Sequence, residues 1–199
     1  MMTKQLLLRL ALMAAMLAPF VAQAQQSKAI SDFKLIDARS QQPVMLSTFK
    51  SKPGVVLIFT SNYCPYSKLY ESRIASLVAQ YPKVQLLLVN SNDPVRSKDD
   101  SIEEMALKAK KSNYGFPYLA DKGQVVSNLL GATKTPEAFL LQYSGGVFKV
   151  MYYGAIDDNP QNERDVKVHF LQEAIEALQN RAAQPRGYVR PTGCMIKKG

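Results

Sequence analysis

Cysteine and histidine are almost missing from this 199-residue chain, which carries two of the first and one of the second. The lone His169 cannot build a metal site, and no His/Cys/Asp cluster has ligand spacing, so the sequence implies no metal and no cofactor. The two cysteines, Cys64 and Cys194, lie 130 positions apart, and Cys64 has no second cysteine within three residues on either side. An even count is compatible with one disulfide or with two independent thiols. Long apolar runs are missing too: the longest, Leu10 to Val21, has 12 residues, against roughly 20 needed to span a bilayer. There is no internal repeat, no low-complexity tract and no DNA-binding motif, so a nucleic-acid partner is not expected.

What stands at the N-terminus has the form of an export leader. Lys4 and Arg9 precede the apolar stretch, which closes on Ala22-Gln23-Ala24, the small-x-small pattern of signal-peptidase cleavage. Loss of residues 1–24 leaves 175 residues carrying +7 of the chain's +9, enough for one domain with a substantial core and without stable membrane insertion. The excess positive charge gathers at the end, where Arg181, Arg186, Arg190, Lys197 and Lys198 meet no carboxylate after Glu176; solvated charge is the expectation. The organisation read from the chain is a signal peptide at 1–24, a folded domain at 25–180 and an extended basic tail at 181–199 carrying Cys194. An exported, periplasmic protein meets oxidising conditions, where unpaired thiols are the exception.

Between leader and tail, the apolar pattern alternates between strand and helix. DFKLID (32–37) alternates as a half-buried strand does, while GVVLIFT (54–60) and VQLLLVN (84–90) are continuous apolar runs expected to be covered on both faces. A helical stripe at Leu69, Ile74, Leu77 and Val78 lies between them, giving a right-handed βαβ unit with parallel strands. Ser101 and Glu104 open a helix predicted to reach Lys111. FPYLA (116–120) is a short strand candidate, and a brief helix is expected at 123–130. Two strands, 138–143 and 147–154, form a hairpin through Ser144-Gly145-Gly146. An amphipathic helix is expected over 166–180, followed by an aperiodic tail.

Cys64 thus falls where a buried strand hands over to a helix. Unpaired N–H groups and partial positive charge at a helix start favour the thiolate, the reactive form of cysteine. Ser61 or Asn62 is the expected N-cap, and Pro65 is tolerated in the first turn. Thr135-Pro136 sits just before the hairpin, marking a strand edge or a cis turn.

The chain resembles exported thioredoxin-like redoxins of the alkyl hydroperoxide reductase/thiol-specific antioxidant type, TlpA-like in outline. The resemblance rests on SNYCPY (61–66), NDP (92–94), PYL (117–119), TPE (135–137) and GCMIK (193–197), in that order. It implies an α/β thioredoxin-like fold with a mixed central sheet and helices on both faces. It also implies Pro136 cis near Cys64, with Tyr63, Tyr66, Thr135 and Pro136 shaping a substrate surface. The first cysteine of the family's CxxC is Ser61 here, too basic to take over its role without an activating base. Cys194 then stands either as an accidental thiol on the tail or as a distant resolving partner of Cys64. The implied activity is a thiol–disulfide redoxin acting on protein thiols or disulfides. The alternatives are a peroxiredoxin-like peroxidase acting on small peroxides through Cys64, and a redox-inactive binding module. For the peroxidase, Ser61-x-x-Cys64-Pro65 fits, Leu57 stands where a proline is expected, and Arg73 or Arg96 would have to activate the thiol.

Overall fold

In the computed structural model, which describes residues 28–199, the apolar run at 54–60 becomes the central strand. The leader and its Ala22-Gln23-Ala24 motif lie outside the described residues. In chain order the strands are β1 (Ala29–Ile30), β2 (Lys34–Asp37), β3 (Pro43–Met45), β4 (Val55–Phe59), β5 (Gln85–Asn90), β6 (Tyr118–Ala120), β7 (Lys134–Thr135), β8 (Glu137–Ser144), β9 (Val147–Gly154) and β10 (Cys194–Met195). The helices are α1 (Pro65–Leu69), α2 (Glu71–Gln80), α3 (Ile102–Lys111), α4 (Val125–Leu130) and α5 (Phe170–Gln179). Eight strands form one mixed sheet in the order β1-β9-β8-β4-β5-β6-β2-β3, with β4, β5 and β6 parallel and the remaining pairs antiparallel. The two-stranded β7–β10 pair stands apart from it.

Alternation along β4 divides the core. Val56 and Ile58 face α2, α3 and α5, packing with Ile74, Met105, Ala109, Ala174 and Ile175. Val55, Leu57 and Phe59 face the other side with Leu46, Val126, Leu130 and Ile196. Both faces must therefore be apolar, which is why β4 reads as an unbroken hydrophobic run. Complete burial of Leu57, Ile58 and Phe59 contributes about 1.5–3 kcal/mol for each side chain. The thioredoxin-like α/β architecture expected from the motif order is the one observed, with a mixed sheet and helices on both faces.

Three local expectations need correction. The helix after Cys64 is two helices, α1 and α2, meeting at Tyr70, and Leu69 is exposed rather than part of the buried stripe. The last helix starts at Phe170, not at 166. Asp158 Oδ1 accepts the Lys167 N–H at 2.9 Å, and the Asp158 N–H donates to Val168 O at 3.1 Å, holding that segment out of the helix. The third correction, the N-cap, belongs to the site.

Candidate functional site

A disulfide joins Cys64 and Cys194, with Cα atoms 6.0 Å apart. Cys64 closes the turn after β4 and is itself the N-cap of α1, with Pro65 at the first helical positions. Neither Ser61 nor Asn62 serves as that cap. Ser61 Oγ accepts the N–H groups of Tyr63 and Cys64 at 3.1 and 3.3 Å, tightening the turn before the helix begins.

Ser61 and Asn62 are drawn instead to a carboxylate that the sequence did not single out. Asp100, 0% exposed, accepts five hydrogen bonds. Oδ1 takes the Asn62 N–H at 2.7 Å and the Asn90 amide at 2.8 Å. Oδ2 takes Ser61 Oγ at 2.8 Å and the Asn92 amide and Ser97 Oγ at 2.7 Å each. Burial alone would raise the Asp100 pKa, but the donors from Asn92, Ser97, Asn90 and Ser61 together hold it below the ordinary value. Tyr118 of the PYL motif joins in, its hydroxyl accepting from Asn90 at 3.1 Å and donating to Asn62 Oδ1 at 2.9 Å.

The same network reaches the tail. Asn92 Oδ1 accepts the Lys197 N–H at 2.8 Å, and the Asp93 N–H donates to Lys197 O at 2.9 Å. The residues after 180 do not form a loose extension. Arg186 pairs with Glu173 at 3.3 Å, Val189 bridges to Gly154, and Tyr188 stacks on Tyr153 with ring centroids 4.9 Å apart. Farther along, β10 pairs antiparallel with β7, setting Cys194 opposite Thr135, and Ile196 is buried in the core. The charges of the tail divide. Arg181, Arg186, Arg190 and Lys198 are exposed, whereas Lys197 is half-buried with Nζ 4.0 Å from the centre of the Tyr63 ring.

Thr135-Pro136 is a cis peptide, and the Thr135 carbonyl oxygen lies 3.1 Å from Cys64 Sγ. Thr135 and Pro136 are buried, Tyr66 is half-buried, and Tyr63 is exposed beside the disulfide. Glu137 anchors the following strand, its Oε2 accepting the N–H groups of Thr133 and Lys134 at 2.8 and 3.0 Å; burial raises its pKa against those bonds. A cleft of about 220 Å³ opens between Pro136, Tyr70, Asp157 and the tail at Val189–Thr192.

The arginines considered for a peroxidase are engaged elsewhere. Arg73 makes a buried salt bridge to Asp157 at 2.7 Å, and Arg96 donates to Lys198 O at 2.9 Å. Leu57 is buried in mid-strand, and His169 is an exposed residue at the start of α5. Among the described residues no group of three or more His, Cys, Asp or Glu is placed to hold a metal ion, and no helix is long and apolar enough to cross a membrane.

Comparison with known proteins agrees with this geometry. Over 101 residues the chain is 29% identical to the thiol-disulfide oxidoreductase ResA of Halalkalibacterium halodurans, covering 49% of this chain and 52% of that protein; it thus spans about half the length of that relative. A hypothetical protein of Sinorhizobium meliloti 1021 has a solved structure 31% identical, with TM-score 0.78, covering 87% of this chain and 94% of the other. An uncharacterized conserved protein of Geobacillus kaustophilus is likewise 31% identical, with TM-score 0.80 and coverage of 87% and 92%. The AhpC/TSA family model matches residues 27–150, which include the Cys64 turn, Asp100 and the cis-proline strand, and the chain belongs to the AhpC/TSA family.

Proposed function

We propose that the protein is an exported thiol–disulfide redoxin that cycles between the Cys64–Cys194 disulfide and the corresponding dithiol. The observation carrying this reading is the disulfide itself: the chain's two cysteines, 130 residues apart, are brought together at the end of a central strand. The activity in the name of the Halalkalibacterium relative points the same way.

In the oxidising direction, a substrate dithiol gives up two electrons and two protons to become a disulfide, and the Cys64–Cys194 bond is cleaved to two thiols. The reducing direction is the reverse. Ser61 takes no part in electron transfer; through Asp100 it fixes the turn that presents Cys64. Tyr63 and the half-buried Tyr66, backed by the buried Thr135 and Pro136, form the surface on which a peptide carrying the substrate thiols rests. The substrates are protein thiols and disulfides, met in the periplasm after removal of residues 1–24. The segment 25–180 then acts as the redoxin domain, and the tail from 181 supplies its second cysteine.

Insulin reduction by the mature protein with dithiothreitol tests the reading. Catalysis by the wild type, and its loss in both Cys64→Ser and Cys194→Ser, is expected. Peroxide consumption that survives in Cys194→Ser and is lost in Cys64→Ser would favour the peroxidase. Wild-type inactivity in both assays would leave a binding module.

A further inference from the structure

The two sulfurs of the disulfide are not equivalent. Cys64 is 1% exposed, in the turn that Ser61 and Asp100 hold, with the Thr135 carbonyl oxygen 3.1 Å from its sulfur. Cys194 is partly exposed, on the two-residue strand β10 that pairs only with β7. A thiolate displacing one sulfur of a disulfide approaches along the S–S axis, from the far side of the sulfur it attacks. For Cys64 that approach must pass through a residue closed to solvent; for Cys194 it need not. The local charge agrees, since Lys134 Nζ lies 3.4 Å from the Gly193 carbonyl oxygen, one residue from Cys194, and attracts an incoming thiolate.

Resting on the redoxin reading, we propose that Cys194 is the catalytic sulfur that exchanges with substrate and that Cys64 is the buried resolving one. A substrate thiolate attacks Cys194 Sγ; a substrate–Cys194 bond forms and the Cys64–Cys194 bond breaks, its electron pair leaving on Cys64. The proton released by the substrate thiol ends on Cys64, whose S–H then has the Thr135 carbonyl as its acceptor. The second substrate thiolate attacks the substrate sulfur of the mixed disulfide. The substrate leaves oxidised, and Cys194 takes up the remaining proton. In reverse, the Cys194 thiolate opens a substrate disulfide and Cys64 closes the cycle. Substrate is therefore carried on the tail strand, outside the buried turn.

Glutathione disulfide distinguishes the two sulfurs. Mature Cys64→Ser, which keeps Cys194, should form the glutathione mixed disulfide at least about tenfold faster than Cys194→Ser, which keeps the buried thiol. In parallel, oxidised wild type is mixed with reduced glutathione, quenched in acid within milliseconds to seconds and peptide-mapped, which requires no variant to fold. Glutathione is expected on Cys194. Equal or reversed rates, or an adduct on Cys64, overturn the assignment and leave the redoxin reading standing. Failure of both variants to react, together with a wild-type disulfide that glutathione never opens, removes the redoxin reading and this inference together.

Discussion

Gly193 lies so close to Thr135 that a β-carbon on Gly193 would come within 2.3 Å of the Thr135 carbonyl oxygen. The contact brings the tail backbone against the cis Thr135-Pro136 segment and sets Cys194 opposite Thr135 in the β7–β10 pair. A neighbour that is backbone cannot swing aside, so Gly193→Ala should push the strand outward and cost about 1–3 kcal/mol, as overpacking does. Slower closure of the disulfide after reduction is expected, read by thiol titration against time. Unchanged closure and unchanged stability would mean the tail tolerates a shift there.

The disulfide links positions 130 residues apart, so in the chain-entropy picture it restrains a long loop of the unfolded chain and stabilises by about 2–5 kcal/mol. Reduction, or Cys194→Ser, should lower the urea midpoint accordingly. The loss should leave the domain folded, because Ile196, Lys197 and Val189 keep their own contacts. Near-native far-UV circular dichroism with a lower midpoint is the expected pair of results.

Much of this arrangement can be read directly from residue order. The unbroken run in β4, the turn at Cys64, the Gly145-Gly146 hairpin and the Ser101 cap on α3, whose Oγ accepts the Glu104 N–H at 3.3 Å, are local signals that tertiary packing leaves intact. Asp100 carries no such signal. SNDPVRSKDDS reads as a polar loop, and what makes one of its two adjacent aspartates a buried hub is that the loop folds back so that Asn90 and Asn92 meet Asp100 together with Ser61 and Asn62 of the distant Cys64 turn. The docked tail was hidden for a related reason. It has no period because it is held by isolated backbone pairings at Val189, Cys194 and Lys197 and by two separated buried residues, Pro191 and Ile196.

Asp100→Asn is expected to be costly. An amide offers donors where three donors meet one oxygen of Asp100 and two meet the other, so some clash in either orientation. A loss of about 2–4 kcal/mol is expected. The pH dependence carries a sign as well. A carboxyl held lower in the folded protein than in the unfolded chain stabilises where it is ionised, above about pH 4, and that contribution drains away as pH falls through the folded value. Urea titrations between about pH 2 and 6 should show wild type losing stability on acidification and Asp100→Asn losing less. Parallel curves for the two proteins would show that Asp100 does not carry the acid sensitivity.

Tyr63 is 56% exposed beside Cys64, with the Lys197 ammonium over its ring. Little of the core depends on it, so Tyr63→Ala should leave stability within about 0.5 kcal/mol. If the ring bears substrate, KM for a peptide disulfide should rise about 3–10-fold while kcat holds, the signature of binding lost equally from ground and transition states. A fall in kcat at constant KM would instead place Tyr63 in the chemistry.

Ser61→Cys tests whether the distant partner has taken the place of a local one. Position 61 lies three residues before Cys64, its Oγ 3.3 Å from the Cys64 N–H, so a thiol there is near the sulfur that now bonds Cys194. A three-residue loop closes with far less chain to order than one of 130 residues. The tail, however, is held in place by pairings that do not involve sulfur, which favours the existing bond. The substitution also removes a strong donor to Asp100, leaving four hydrogen bonds to that carboxylate. The expected outcome is a mixture resolved by non-reducing peptide mapping at intervals. The local bond between positions 61 and 64 should form first on reoxidation, and Cys64–Cys194 should gain with time. In Ser61→Cys with Cys194→Ser, insulin reduction should return, since a local dithiol is then complete. Recovery of Cys64–Cys194 alone at every time point, with an inactive double variant, would show that the turn held by Asp100 cannot seat a second sulfur.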